Sequence, residues 1–370
     1  MTSAKATTTD LTGRRPRAGR SAGCVVASAV ALVLAACGTS AHRAGAPHVT
    51  TTTSTAPPTT TTTTPPGLPV GTLAVGTRTD AYVDTSRPTP PNGGAPGAPT
   101  RTMPTTIWYP ATGPATAAPA AGAPPDVAQG PFPLVVFAHG FAVVPAIYAA
   151  LLARWASAGY VVVAPAIPLL NGDAPGGASH GDYAQNNVTD LDFVLGQALQ
   201  HAATPGDPLA GLIDPSRVAV TGHSDGEVLA YDLGFEPCCH DPRVKAVIAM
   251  AGNLGNAGVL PAATGVPILH VMEDHDQYDP YPASIAFDRA NLQAPKEMLT
   301  LVSAVHLPPY SDPTDPHFNV VVAATVDFLD ATLKGRPDGL AALQALVAGA
   351  PTLATLEGSP PTAPTTTSTP

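Results

Sequence analysis

The sequence predicts an α/β fold: a mostly parallel sheet with helices on both faces and an antiparallel N-terminal edge. Short apolar runs alternate with helical stretches between residues 70 and 340, the order expected of strands that are joined by helical crossovers. These runs are continuously apolar, as in parallel strands that are buried on both faces. Apolar residues make up 44% of the chain, which suits a sheet of this kind covered by small-residue helices.

The individual elements follow from the local patterns. Two β-type patches, G-T-L-A-V-G at 71–76 and T-T-I-W-Y-P at 105–110, predict the antiparallel edge. We then expect strands at 132–138, 160–164, 217–221, 244–249, 266–272 and 297–302. Helices are expected at 146–157, at 185–200, after residue 224 and just beyond Pro280, with a closing helix at 320–333.

The first 36 residues are typical of a secretory signal peptide. A basic region, R-R-P-R-A-G-R at 14–20, precedes an uncharged run at 21–36, which is shorter than the ~20 residues that span a bilayer. The run leads into L-A-A-C at 34–37, which resembles the lipobox of bacterial lipoproteins. The resemblance implies lipidation at Cys37 and an anchor on the extracellular face of the cell membrane. Ordinary cleavage nearby, giving a secreted protein, is the alternative.

Two segments have low complexity. Residues 37–69 are rich in threonine and proline and cannot bury enough apolar surface to offset the entropy of ordering, so we expect a disordered tether. The α/β domain is expected at 70–340. Residues 341–370 are predicted to be a C-terminal extension that ends in a disordered Pro/Thr tail.

The charge distribution limits the expected partners. The formal net charge is −10, and five of the 17 basic residues lie in the first 20 positions. Because no basic cluster remains after them, neither a nucleic acid nor an anionic membrane surface is an expected partner. The acidity is explained by solubility, and we expect a monomer.

Two of the four cysteines remain as candidates for a disulfide or a metal site. Cys24 is removed with the signal peptide, and Cys37 is the predicted anchor. Cys238 and Cys239 are adjacent, where ring strain opposes a mutual disulfide. We therefore expect a buried pair near a helix end, with metal binding as the alternative, and no disulfide framework.

The motif G-H-S-D-G at 222–226 directly follows the predicted strand R-V-A-V-T and precedes the helical run E-V-L-A-Y-D-L. This strand–turn–helix setting gives G-x-S-x-G its meaning, because the sharp turn exposes the serine and only glycine fits two residues to either side. Ser224 is therefore the predicted nucleophile. The helix N-terminus behind it would face a developing oxyanion.

A serine nucleophile requires a base, and in this kind of fold the order along the chain is serine, acid, histidine. His306 follows the last predicted strand at its carboxyl end, where the cleft of a parallel sheet lies, and is the chosen base. His317 is the reserve candidate. His270 lies inside an apolar strand and is expected to be a core histidine, and His240 lies in a loop.

The acid is expected in the loop E-D-H-D-Q-Y-D-P at 273–280. Asp276 is the choice, since it would fix the tautomer of His306 and stabilise its imidazolium. Asp274 is the runner-up, and Glu273 and Asp279 are the other carboxylates on offer.

The oxyanion hole needs two backbone N–H groups, which we assign to Phe141 and Asp225. Gly140 would let the backbone approach the substrate. Tyr278, with Phe141 and Tyr183, is expected to line the acyl pocket, and the glycine-rich stretch 165–185 could cover it. The interval 250–266 is too short for a large lid, so we expect an open cleft.

Several blocks resemble a known superfamily. F-P-L-V-V-F-A-H-G-F at 132–141 and L-L-A-R-W-A-S-A-G-Y-V-V-V-A-P at 151–165 resemble the α/β-hydrolases, in particular bacterial polyester hydrolases and cutinases, platelet-activating-factor acetylhydrolases and dienelactone hydrolases. G-H-S-D-G, D-Q-Y-D-P and S-A-V-H-L match their nucleophile, acid and base blocks. The resemblance implies the α/β-hydrolase fold and hydrolysis of carboxylic esters, from small-molecule or lipid-like substrates, through an acyl-enzyme with no metal or organic cofactor.

The chain departs from the polyesterase pattern at Glu227, where a smaller residue is usual, at Cys238-Cys239, which does not match their terminal disulfide, and at Asp225 within the elbow. These departures weaken any inference about polymer substrates. A catalytically inactive lipoprotein that serves as a binding or cell-envelope scaffold is the alternative function. An amide-cleaving enzyme is a third hypothesis, disfavoured because such relatives carry a substantial cap domain.

Overall fold

A computed structural model describes residues 71–358, apart from 117, 183–186, 254–263, 294 and 337. The predicted signal peptide, the lipidation site Cys37, the tether and the tail after residue 358 lie outside the described residues. Within the described ranges, no helix is both long and apolar enough to cross a membrane.

Four strands open the described chain, and from β4 onward strands and helices mostly alternate. The strands are β1 Ala74–Asp84, β2 Arg101–Ala111, β3 Ala120–Ala121, β4 Phe132–Ala138, β5 Val161–Pro165, β6 Ile213–His223, β7 Val244–Met250, β8 Ile268–Glu273, β9 Lys296–Leu301 and β10 Ala354–Gly358. The helices are α1 Ala149–Ser157, α2 Val188–Ala203, α3 Asp225–Phe235, α4 Tyr281–Asn291, α5 Pro308–Ser311, α6 Phe318–Leu333 and α7 Gly339–Gly349, with a 3₁₀ turn at Pro145–Tyr148 before α1.

Within the described residues these strands form one sheet in the order β10-β9-β8-β7-β6-β4-β5-β2-β1-β3. Six neighbouring strands, β5, β4, β6, β7, β8 and β9 in that order across the sheet, pair in parallel. β2 pairs antiparallel with β1 and β5. The predicted fold class is therefore confirmed. The chain runs from β4 to β5 on one side and returns to β6 on the other, so the strand order reverses at β4. Ligand sites of α/β sheets lie at the carboxyl ends of the strands beside such a reversal.

The core has two layers because successive residues of a buried strand point to opposite faces. In β4, Leu134 and Val136 pack into the layer that holds buried residues of α2 and α3. Val135 and Phe137 pack into the other layer, which holds buried residues of α1, α6 and α7. A strand covered on both faces must be apolar at every position, which is the pattern seen at 132–138.

The domain continues past the predicted boundary at residue 340. α7 buries Leu343 and Val347 against the core, and β10 pairs antiparallel with β9 from Ala354 to Gly358. Part of the predicted extension is thus a helix and an edge strand of the sheet. The pattern A-T-L-E-G is too short and too weakly apolar to stand out beside the Pro/Thr tail.

The expectation for the adjacent cysteines was wrong. Cys238 and Cys239 form a disulfide with each other, and their Cα atoms are 3.8 Å apart. The pair lies in the loop after α3, where Cys238 is exposed and Cys239 half-buried. The ring strain expected of adjacent cysteines argued against the bond, but the loop after α3 accommodates it.

Candidate active site

Ser224 occupies the turn between β6 and α3, with φ 57° and ψ −127°. This left-handed backbone, rare for a residue with a side chain, is held by a hydrogen bond that the Ser224 N–H donates to the Met250 carbonyl oxygen at 2.9 Å. A Cβ on Gly222 would lie 1.8 Å from the Gly226 oxygen, and one on Gly226 would lie 2.2 Å from the Ala138 oxygen. Both glycines of the motif are therefore required for the turn to close.

The loop after β4 meets the Ser224 turn at Gly140. A Cβ on Gly140 would lie 3.0 Å from the Ser224 Cβ, so glycine permits this approach. Phe141 follows at once, and Asp225 is the first residue of α3. The two segments that carry the predicted oxyanion-hole residues thus meet beside Ser224.

Asp276 and His306 come together from the loops after β8 and β9. The His306 Nδ1–H donates a hydrogen bond to Oδ2 of Asp276 at 2.7 Å, so Nε2 is the ring nitrogen that this bond does not use. Burial of the Asp276 carboxyl raises its pKa, but hydrogen bonds from His306 and from the Tyr278 and Asp279 N–H groups outweigh burial and hold the pKa below its usual value. The carboxyl is thus favoured in its ionised form.

Among the described residues, one group could hold a metal ion: Asp276, Asp279 and His306 offer ligand atoms within 4.8 Å of one another. Two of the three already form the hydrogen-bonded pair described above. A cation held through Nδ1 of His306 would have to replace the proton that this nitrogen donates to Asp276. Burial, followed by the nearby Asp276 charge, raises the pKa of Asp279.

The competing carboxylates of the acid loop have other partners. Oδ1 of Asp274 accepts the Ser303 N–H at 2.6 Å, which holds the loop that carries His306. Glu273 is buried and accepts a hydrogen bond from the Tyr310 hydroxyl, and burial raises its pKa well above the usual range. Asp274 therefore supports the turn of the neighbouring loop rather than a histidine.

The competing histidines lie elsewhere. His317 is the N-cap residue of α6, and its Nε2 is 3.0 Å from the Val302 carbonyl oxygen. His270 is buried in β8, as expected of a core histidine. His240 follows the vicinal disulfide and donates its N–H to the Glu236 carbonyl oxygen at 2.8 Å.

His270 belongs to a buried polar cluster that the sequence did not predict. Its Nδ1 bonds to Oδ2 of Asp288, and its Nε2 lies 3.3 Å from Oε1 of Glu227, with all three side chains fully buried. Burial alone would lower the pKa of His270, but the Asp288 and Glu227 carboxylates raise it well above its ordinary value. The cluster joins α3, β8 and α4 directly behind the site.

His223, which the sequence did not single out, links the Ser224 turn to the loop that carries His306. Its Nε2–H donates to the backbone oxygen of His306 at 2.8 Å, and its Nδ1 accepts the Tyr148 hydroxyl at 2.9 Å. The rings of His223 and His306 lie 4.8 Å apart. Burial, then the neighbouring His306, lowers the pKa of His223 to about 3, so this imidazole is neutral. No local pattern could reveal a bond between residues 83 positions apart.

Two of the three aromatic residues predicted to line the pocket are exposed. Tyr278 is 71% exposed, and the edge of its ring meets the His306 ring at 4.9 Å. Phe141 is 39% exposed. Tyr183 lies outside the described residues.

Comparisons with known proteins bear on this arrangement. A family model described as Chlorophyllase matches residues 111–259, a stretch that includes Phe141 and Ser224 and ends before Asp276 and His306. Among solved structures, a ferulic acid esterase from Streptomyces cinnamoneus is similar, with a TM-score of 0.55 and 23% identity over 71% of this chain and 91% of that chain. This chain has the α/β-hydrolase fold.

The predicted α/β-hydrolase fold is therefore confirmed. The matches name a chlorophyllase family and a ferulic acid esterase, whereas the motifs pointed to polyesterase, acetylhydrolase and dienelactone-hydrolase branches. No curated protein sequence matches this α/β-hydrolase significantly.

The neutral state of His223 predicts a pH dependence of stability. Its pKa is about 3 in the folded chain and about 6.5 in an unfolded one. Between these values only the unfolded chain binds the proton, so His223 makes the free energy of unfolding fall by about 1.4 kcal/mol per pH unit of acidification. His223→Gln keeps a donor and an acceptor but does not titrate.

We therefore expect the stability deficit of His223→Gln relative to wild type to shrink by about 1.4 kcal/mol per unit between pH 6 and pH 4. Urea unfolding of both proteins at several pH values measures it. A deficit that stays constant over this range would contradict a neutral, buried His223.

Proposed function

We propose that this α/β-hydrolase is a carboxylic ester hydrolase that acts through an acyl-enzyme, with Ser224 as nucleophile, His306 as base and Asp276 as acid. The observation that carries the proposal is the Asp276–His306 hydrogen bond at 2.7 Å, on loops of the same sheet edge as the Ser224 turn. The likeness to a ferulic acid esterase and the chlorophyllase family match support ester chemistry.

In the proposed reaction Oγ of Ser224 attacks the ester carbonyl carbon while Nε2 of His306 takes the hydroxyl proton. The oxygen of the tetrahedral intermediate accepts hydrogen bonds from the N–H groups of Phe141, in the loop after β4, and of Asp225. Asp225 begins α3, where the helix dipole also favours negative charge. His306 then gives its proton to the departing alcohol. A water molecule, activated by the same histidine, releases the acid from Ser224.

Asp276 holds His306 in the tautomer with the proton on Nδ1 and stabilises the imidazolium that forms when Nε2 takes a second proton. The lowered pKa of Asp276 supports this role, because the carboxyl must remain ionised throughout. His223 neighbours Ser224 and bonds the backbone of His306, and so fixes the distance between the two reacting segments.

The expected substrates are small-molecule esters. The mouth of the site carries the exposed ring of Tyr278 and the half-exposed ring of Phe141, which favours a substrate with an apolar portion. The alternative, an inactive scaffold of the cell envelope, is an outcome of the following test.

Purified full-length protein should hydrolyse p-nitrophenyl acetate and butyrate, and Ser224→Ala should lower kcat by at least about 10³-fold, because the acyl-enzyme cannot form. Release of p-nitrophenolate measures both. Equal rates for the two proteins would show that Ser224 is not the nucleophile. A wild type that turns over neither these esters nor the matching p-nitroanilides would favour the scaffold function.

The acid is tested by two matched substitutions. Asp276→Asn removes the charge that stabilises the imidazolium and should lower kcat by about 10³- to 10⁴-fold. Asp274→Asn keeps an oxygen that can accept the Ser303 N–H and should change kcat by no more than about threefold. The reverse pattern would show that Asp274 is the acid.

We also propose that the protein is anchored outside the cell by a lipid on Cys37, as the L-A-A-C sequence at 34–37 indicates. Cys37→Ser should move the esterase activity from the membrane fraction to the culture medium in a bacterial host. Retention of the variant in the membrane fraction would count against the lipid anchor.

A further inference from the structure

His180 contacts both residues that are assigned to the oxyanion hole. It lies in the loop between β5 and α2, and its ring stacks on the Phe141 ring with centroids 4.1 Å apart and planes at 14°. Its Nε2 is 2.5 Å from Oδ2 of Asp225. One side chain thus bridges the loop after β4 and the first residue of α3, across the backbone that flanks Ser224.

The same loop supports the residues next to Phe141 through backbone contacts. The Ala142 N–H donates to the Leu170 oxygen at 2.9 Å, and the Gly172 N–H donates to the Val143 oxygen at 3.1 Å. A Cβ on Gly172 would lie 2.6 Å from the Ala142 oxygen, so the two loops pack as closely as backbones can. Ala142 itself has φ 56°, a conformation that persists only when its surroundings impose it.

A buried histidine joins the two loops at their base. Nε2 of His139 accepts the Ile167 N–H at 3.0 Å, which leaves Nδ1–H to donate to the Gly140 oxygen at 2.8 Å. Burial lowers the pKa of His139 to about 4, so both bonds persist at neutral pH. The loop that carries Phe141 therefore takes its shape from the loop that carries His180.

The contact with His180 also fixes the position of the Asp225 carboxylate. This carboxylate belongs to the residue directly after Ser224, so it stands near the negative charge that the proposed reaction develops, and like charges at short range raise the energy of that state. The His180 contact holds the carboxylate on the side of the 166–182 loop and gives it a hydrogen-bonding partner.

We propose that His180 is a positioning residue of the oxyanion hole. By stacking on Phe141 and bonding Asp225, it fixes the two backbone N–H donors relative to each other and directs the Asp225 carboxylate away from the oxyanion. The proposal rests on the esterase function proposed above.

Three substitutions separate the two contacts. His180→Phe keeps the stack on Phe141 and removes the bond to Asp225, His180→Gln keeps a hydrogen-bond donor and removes the stack, and His180→Ala removes both. His201→Ala is the matched control. His201 also stacks on an aromatic ring, that of Tyr82 at 5.3 Å and 15°, and bonds a carboxylate, Asp207 at 2.6 Å. It lies in the last turn of α2, beside Tyr82 of β1.

The measurements are kcat and KM for p-nitrophenyl butyrate, and inhibition by phenylboronic acid, which forms a tetrahedral adduct with an active-site serine. In the full-length protein His180→Ala should lower kcat by about 10- to 100-fold and leave KM nearly unchanged. It should lower the affinity for phenylboronic acid by a similar factor. The Phe and Gln variants should fall between it and wild type. His201→Ala should match wild type in kcat.

If all three His180 variants keep wild-type kcat and boronate affinity, or lose kcat only in proportion to a loss of folded protein measured by thermal unfolding, the positioning role is refuted while the esterase function stands. If wild type does not hydrolyse esters, both proposals fail.

Discussion

The strained turn at Ser224 is the constraint on which the site depends. Ser224 adopts φ 57° in a turn where β6 and α3 approach closely. This approach requires glycine at 222 and 226, because a Cβ at either position would clash with a backbone oxygen. The backbone oxygen that Gly226 approaches belongs to Ala138, at the end of β4. The turn therefore also requires β4 beside β6. The reversal of strand order at β4 and the packing of both glycines are therefore parts of one requirement: to present a serine at the carboxyl edge of the sheet.

Around this turn, buried polar groups join segments that are distant in sequence. His223 connects the Ser224 turn to the loop that carries His306. The Glu227–His270–Asp288 cluster connects α3 to β8 and α4. Burial raises the pKa of Glu227, and its Oε1 lies 3.3 Å from Nε2 of His270. A buried charge is costly unless partners compensate it, so these side chains depend on one another. They hold α3, which follows Ser224, in position relative to β8, whose following loop carries Asp276.

The sequence alone predicted the features that local patterns determine. Continuous apolar runs identified β4 and β6, and G-x-S-x-G in its strand–turn–helix setting pointed to Ser224. His306 and Asp276 followed from chain order along a parallel sheet. His180 and His223 could not be found in this way, since their contacts to Asp225 and His306 span 45 and 83 positions. The Cys238–Cys239 bond was missed because the ring strain expected of adjacent cysteines counted against it. β10 was missed because its sequence resembles the low-complexity tail that follows it.

Covalent labelling tests the central role of Ser224 most directly. The full-length protein would be treated with a fluorophosphonate, which reacts with activated serines, and the modified peptide would be located by mass spectrometry. The account predicts a single adduct on Ser224, and none in Asp276→Asn over the same time, because His306 then lacks the carboxylate that supports it as a base. An adduct on another residue, or none in a protein that hydrolyses esters, would contradict it.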